Sequence, residues 1–112
     1  MSRAGQDAED IAAAYMESRG LKIVARNYRC RFGEIDIIAE DQGTLVFVEV
    51  RMRTRTDFGT AAESIHAAKR RRLVAAARHY LARTRADRAC RFDAFLVAGS
   101  SGAVEWLKNV IC

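Results

Sequence analysis

Residues 34–51 read EIDIIAEDQGTLVFVEVR. Two β-prone runs, EIDIIAE and TLVFVEVR, flank a short polar break at Asp41, Gln42 and Gly43, which is the composition of a tight hairpin turn. With Gln42–Gly43 as the connection, Asp36 faces Glu49 and Glu34 faces Arg51. Alternation places Glu34, Asp36 and Ile38 on one face with Leu45, Phe47, Glu49 and Arg51. The other face carries Ile35, Ile37, Val46, Val48 and Val50, all apolar, and is read as the core side. Facing like charges weaken a two-stranded ribbon, so the pairing of Asp36 with Glu49 requires a compensating cation or an escape to solvent.

Outward from this hairpin the chain reads as alternating elements. Upstream, residues 5–19 form a helix, with Ala8, Ile11, Ala12, Tyr15 and Met16 at three- and four-residue spacing and Gly20 where a helix ends. LKIVARNY, residues 21–28, is a first strand, and residues 29–33 turn the chain into the hairpin. Downstream, residues 53–60 form a polar loop with Phe58 and Gly59. A long helix covers residues 61–84, and its inward stripe is Ile65, Ala68, Leu73, Ala76, Ala77, Tyr80 and Leu81. RFDAFLVA, residues 91–98, is a strand, and VEWLKN supplies a last short one after Ser101–Gly102. The order α-β-β-β-α-β-β predicts an α/β fold, a central mixed sheet flanked by two helices.

At 112 residues the chain is read as one domain, 1–112, with a single modest core. No apolar run approaches the ~20 residues needed to span a membrane, and acidic residues interrupt the N-terminus where a secretory leader would be apolar. The expectation is a cytoplasmic protein with no membrane partner. Cys30, Cys90 and Cys112 lack metal-ligand spacing and read as incidental thiols. Net charge is +5, with basic residues crowded into 66–88, which favours a polyanionic partner without proving one. His66 and His79 read as ordinary surface histidines.

Two readings of the facing carboxylates follow from spacing alone. In the simpler one, Glu34–Arg51 is a cross-strand ion pair and Asp36 and Glu49 point to solvent. In the other, a hard divalent ion sits between Asp36 and Glu49, since Mg²⁺ or Mn²⁺ takes carboxylate oxygens with water and phosphate completing its shell.

The segments GQDAEDIAAAYMESRG, ARNYRCRFGEID, TLVFVEVRMR, FGTAAESI, KRRRL, RFDAFLV and VEWLKN together resemble the YraN family of small bacterial proteins, over nearly the whole chain. That family belongs to the restriction-endonuclease-like superfamily, which includes archaeal Holliday-junction resolvases. The resemblance implies a restriction-endonuclease-like core and a metal-dependent nuclease using Mg²⁺ or Mn²⁺ on nucleic acid, DNA foremost and branched DNA in particular. It matches Asp36 and Glu49 to the metal-binding carboxylates and Glu9 to the helix glutamate of resolvase-like members. Arg51 stands where the family usually has lysine. Arginine offsets charge on a phosphate but does not act as a base, because its pKa is too high. The departure leaves open a second function: a catalytically weak or inactive protein, on a nuclease scaffold, that binds nucleic acid or a partner. The amine missing at Arg51 has one nearby source in Lys69, although membership of a solvated basic face is the simpler reading of that residue. For the phosphate backbone the expected contacts are Arg53, Arg55, Lys69, Arg70 and Arg72. Resolvase relatives act as symmetric dimers, so a homodimer fits the same reading.

Overall fold

The computed structural model describes residues 3–53, 67–98 and 103–110, with side chains described over 7–52, 68–98 and 103–110. Helix α1 (Arg3–Ser18) is followed by β1 (Lys22–Cys30), β2 (Gly33–Asp41) and β3 (Thr44–Arg53). Helix α2 (Ala67–Thr84), β4 (Cys90–Ala98) and β5 (Val104–Leu107) complete the order. The five strands form one sheet in sequence order β1-β2-β3-β4-β5. Only β3 and β4, joined through α2, run parallel; every other neighbouring pair is antiparallel. The expected order and mixed sheet are therefore the observed ones.

Turn chemistry fixes the central hairpin. Gln42 and Gly43 both take positive φ, 50° and 90°, the conformation that lets a two-residue turn follow the twist of its strands. The register follows: Ile37 lies opposite Val48, Ile38 opposite Phe47 and Glu40 opposite Leu45. Arg88, from the segment after α2, clamps the turn by donating to Glu40 and to the Gly43 carbonyl.

Both faces of this hairpin are core, which corrects the expectation of one apolar and one wet face. On one side Ile37, Ala39, Val46, Val48, Phe95 and Val97 pack with Ala8, Ala12 and Met16 of α1. On the other, Ile35, Ile38, Leu45 and Phe47 pack with Leu73, Ala76 and Ala77 of α2. A βαβ crossover puts its helix on one face of the sheet, and α1 covers the other, so strands read as near-continuous apolar runs. Of the predicted helix stripes, Ile11 is 38% exposed and Ala68 is exposed, while Ile65 lies outside the described residues. Residues 54–66, including Phe58, Gly59 and His66, lie there as well, as does Cys112.

One irregularity organises everything that follows. Ile35 faces α2 but Ile37 faces α1, so alternation fails at Asp36. The β1–β2 register places Asn27 opposite Asp36, and Asn27 has φ 55°. The two strands kink together, and the strict face assignment made from the sequence holds for β3 but not for β2. No described helix is long and apolar enough to cross a membrane.

Candidate functional site

At the kink, the β2–β3 ladder ends at Ile37 and Val48. Beyond it the Val50 N–H donates to Asp36 Oδ2 at 2.8 Å. A side-chain carboxylate replaces the backbone acceptor, and the strands part around it. Glu49, which projects from β3 toward α2, is 4% exposed, and its carboxyl group lies next to that of Asp36. Glu49 is buried and Asp36 half-buried between the strands, so the solvent-facing alternative does not describe the pair.

Burial is the main reason the Asp36 carboxyl is pushed up to about 7, and the adjacent Glu49 charge adds to it. The Val50 N–H and the Lys69 ammonium oppose that rise. Glu9 approaches from the opposite helix. It is 4% exposed, and its pKa is raised by burial first and by the Asp36 charge second, against a pull from Arg26 and Asn27. Among the described residues its Oε1 has no hydrogen-bond partner, and the Arg26 guanidinium stands 3.7 Å away while making its closer pair with Asp10 at 2.7 Å.

Lys69 projects from the first turn of α2, and its Nζ forms an ion pair with Glu49. This replaces the expectation that Lys69 belongs only to a solvated face. Sequence did hold a faint signal for it, because Lys22, Lys69 and Lys108 are the only three lysines among nineteen basic residues. A chain that uses arginine nearly everywhere keeps a lysine at the start of KRRR. Arg51, two residues after Glu49, is half-buried and lies by alternation on the same side of β3. Glu34 pairs with Arg29 across the β1–β2 turn at 3.1 Å, not with Arg51. The hairpin with β1, invisible in the EIDIIAE–TLVFVEVR stretch itself, supplies the nearer cation.

Beside the two acids a cleft of about 350 Å³ opens between the β1–β2 turn and α2. Arg29, Cys30, Gly33 and Glu34 line it from the β1–β2 side, Glu49 from β3, and Lys69, Arg72 and Leu73 from α2. Gly33 sets its width: a Cβ there would stand 2.7 Å from the Arg72 carbonyl oxygen, so only glycine lets the turn rest on the helix backbone. Arg72 is exposed at the rim, and Arg70 is half-buried on α2. Arg55 and the side chain of Arg53 lie outside the described residues.

The Glu49 carboxyl lines this cleft, the Asp36 carboxyl lies next to it, and Glu9 adds a third oxygen group whose charge couples to Asp36. That chemistry fits a hard divalent ion that keeps waters in its shell. Among the described residues, no three Asp, Glu, His or Cys side chains converge closely enough to hold a metal by themselves. Any ion here would complete its shell with water or substrate.

His79 is not a bare surface residue: its Nδ1 and the Tyr28 hydroxyl are 2.5 Å apart, tying α2 to β1. Sequence reading also missed Asp93. It is fully buried and accepts from Arg91, from the Trp106 indole at 2.9 Å and from the Asn109 N–H at 2.8 Å. A lone acid in the apolar run FDAFLV, with arginine two residues before it, was the available signal.

Fold and site together define an α/β protein with an acid pair set into a kinked central hairpin under a basic helix. The family described as Uncharacterised protein family UPF0102 matches residues 8–97, and the chain belongs to it. This is the YraN family that the motifs resemble. The chain is 53% identical to a UPF0102 protein of Nitrosomonas europaea over 94% of its own length and 90% of the relative's. It is 54% identical to one of Nitrosospira multiformis over 94% and 89%, and 49% identical to one of Methylobacillus flagellatus over 97% and 96%.

Proposed function

We propose that this protein is a metal-dependent nuclease that hydrolyses nucleic-acid phosphodiesters at the Asp36–Glu49 pair. The carrying observation is that pair: a buried and a half-buried carboxyl side by side, next to a cleft whose remaining charged groups are mostly cations. Like charges are brought together at a cost to the fold, which a divalent ion would remove. Asp36 and Glu49 would hold Mg²⁺ or Mn²⁺, which when bound supplies a Lewis acid beside the phosphate. Glu9 adds negative charge behind Asp36 and helps keep the pocket selective for a cation.

The remaining roles fall to cations of the chain. Arg51 neutralises charge that develops on the phosphate oxygens as the bond breaks. Lys69 brings to Glu49, from α2, the amine that the resemblance places two residues further along the strand. Arg72 and Arg29, on opposite walls of the cleft, grip the neighbouring phosphates and give register without base preference. Incubation with branched and linear DNA in Mg²⁺ or Mn²⁺ tests this reading. Asp36→Ala is expected to lower cleavage at least ~10²-fold, the scale on which losing a transition-state contact acts. Equal, metal-independent cutting by both proteins would contradict it.

One observation favours a second reading. The Lys69 ammonium already neutralises Glu49, and Arg51 departs from the lysine of the motif, so the scaffold is stable as a binding protein with no ion. In that case DNA binding is salt-sensitive and indifferent both to Mg²⁺ and to Asp36→Ala.

A further inference from the structure

The β1–β2 turn presents a large aromatic side chain to solvent, and nothing in the roles above uses it. Phe32 is 48% exposed at the tip of the turn. Its ring stands 6.0 Å from His79 and 5.3 Å from the Arg31 guanidinium carbon, which lies over it. An aromatic residue at a hairpin tip is usually hidden or replaced by a polar one, because exposing it forfeits the free energy of burying it.

The turn is also held firmly. Gly33 rests against the Arg72 carbonyl, the Tyr28 hydroxyl is bonded to His79, and Arg29 is paired with Glu34. Phe32 is therefore carried at a set place on the same turn that walls the cleft. Lys69, Arg72 and His79 follow one another along one side of α2. At 1.5 Å per residue their span is roughly 15 Å, enough for two or three nucleotides of an extended strand. Arg29, Arg31, Lys69 and Arg72 lie on or beside this path, against two carboxylates, Glu34 and Glu49. The path ends at the exposed ring.

We propose that Phe32, backed by Arg31, is a stacking platform for an unpaired base, so that the cleft takes nucleic acid with single-stranded or unstacked nucleotides in preference to continuous duplex. The inference rests on the nucleic-acid reading of the same site and adds its substrate class. Every base has a π face, so an aromatic ring beside a phosphate track selects unpaired nucleotides without selecting sequence. A base within an intact duplex is stacked on both sides and offers no face to the ring.

The test is binding by the full chain at low salt in EDTA, where cleavage does not intervene. The probes are a fluorescein-labelled oligo-dT strand and a blunt duplex of mixed sequence. Phe32→Ala is expected to weaken oligo-dT binding about tenfold, the scale of one lost base–aromatic stack, and to leave duplex binding nearly unchanged. Phe32→Trp is expected to keep oligo-dT affinity, and its added indole emission, measured against wild type with its single Trp106, should be quenched by oligo-dT and not by duplex. If wild type binds both probes but Phe32→Ala weakens both equally or neither, Phe32 only anchors the turn and the inference is wrong, while the cleavage assay still judges the nuclease reading. An unquenched Phe32→Trp overturns the inference even if Phe32→Ala fails to fold. Absence of any binding by wild type at low salt overturns the nucleic-acid reading itself.

Discussion

Asp36, half-buried, and Asp93, fully buried, stand on strands of the same sheet, and their surroundings differ in kind. Asp93 accepts from a guanidinium, an indole N–H and a backbone N–H, and Arg91 also reaches Asp41 at 3.0 Å. Both carboxylate oxygens that burial removed from water are met by donors of the protein. Among the described residues Asp36 accepts one backbone N–H and faces another carboxyl, with only the Lys69 ammonium as an opposing charge. Burial of a charge is thus not by itself the mark of a site. What marks one is burial without compensation, because the missing partner must come from outside the chain.

The largest expected difference between the two is in stability. Asp93→Ala leaves the Trp106 and Asn109 donors without their acceptor and Arg91 short of one partner. It is expected to cost about 3–5 kcal/mol in urea unfolding, the scale for breaking a buried, hydrogen-bonded charge pair. A loss below ~1 kcal/mol would erase the contrast on which the site assignment leans.

Asp36 should behave in the opposite sense. Its folded carboxyl stays protonated up to about 7, whereas its ordinary value is 3.8. Between those values the folded protein holds a proton that the unfolded chain releases, so in the absence of metal stability falls as pH rises through that window. The raised Glu9 acts in the same direction. Asp36→Asn keeps an oxygen for the Val50 N–H and removes the titration. Without metal it is expected to be more stable than wild type by roughly 2–4 kcal/mol above the window, with the gap closing toward pH ~4. A gap that is constant with pH would show that Asp36 does not titrate within the window.

The smallest effect sharpens the role of Lys69. On the proposed reading its ammonium and the divalent ion would compete for Glu49, so Lys69→Met is expected to bind Mn²⁺ severalfold more tightly by calorimetry, a change of ~1 kcal/mol. Weaker binding in the variant would mean that Lys69 orients Glu49 for the ion and does not stand in for it.

Much of this was legible in the sequence, and the misses have physical causes. Gln42–Gly43 fixes the hairpin register and with it the shared level of Asp36 and Glu49. Faces were harder to read. Period-two alternation cannot anticipate Asn27 entering the left-handed region opposite Asp36, and that step moves Ile35 to the α2 side. Strands sandwiched between two helices are apolar on both faces, so hydropathy alone could not reveal which side of the ribbon was wet. The reach of Lys69 to Glu49 and the Arg29–Glu34 pair are tertiary facts, separated in the chain or decided by a neighbouring hairpin. Asp93 was passed over because a buried acid in an apolar strand becomes meaningful only once its donors are known.

The central claim is that the Asp36–Glu49 pair is held together for a divalent ion. Mg²⁺ or Mn²⁺ titrated into wild type and Asp36→Ala above the Asp36 titration, with melting temperature and heat of binding followed together, tests it most directly. At free ion about a hundredfold above Kd, wild type should gain ~3 kcal/mol of stability, and Asp36→Ala should neither gain it nor release the heat. Equal stabilisation of both proteins, or of neither, would contradict the account.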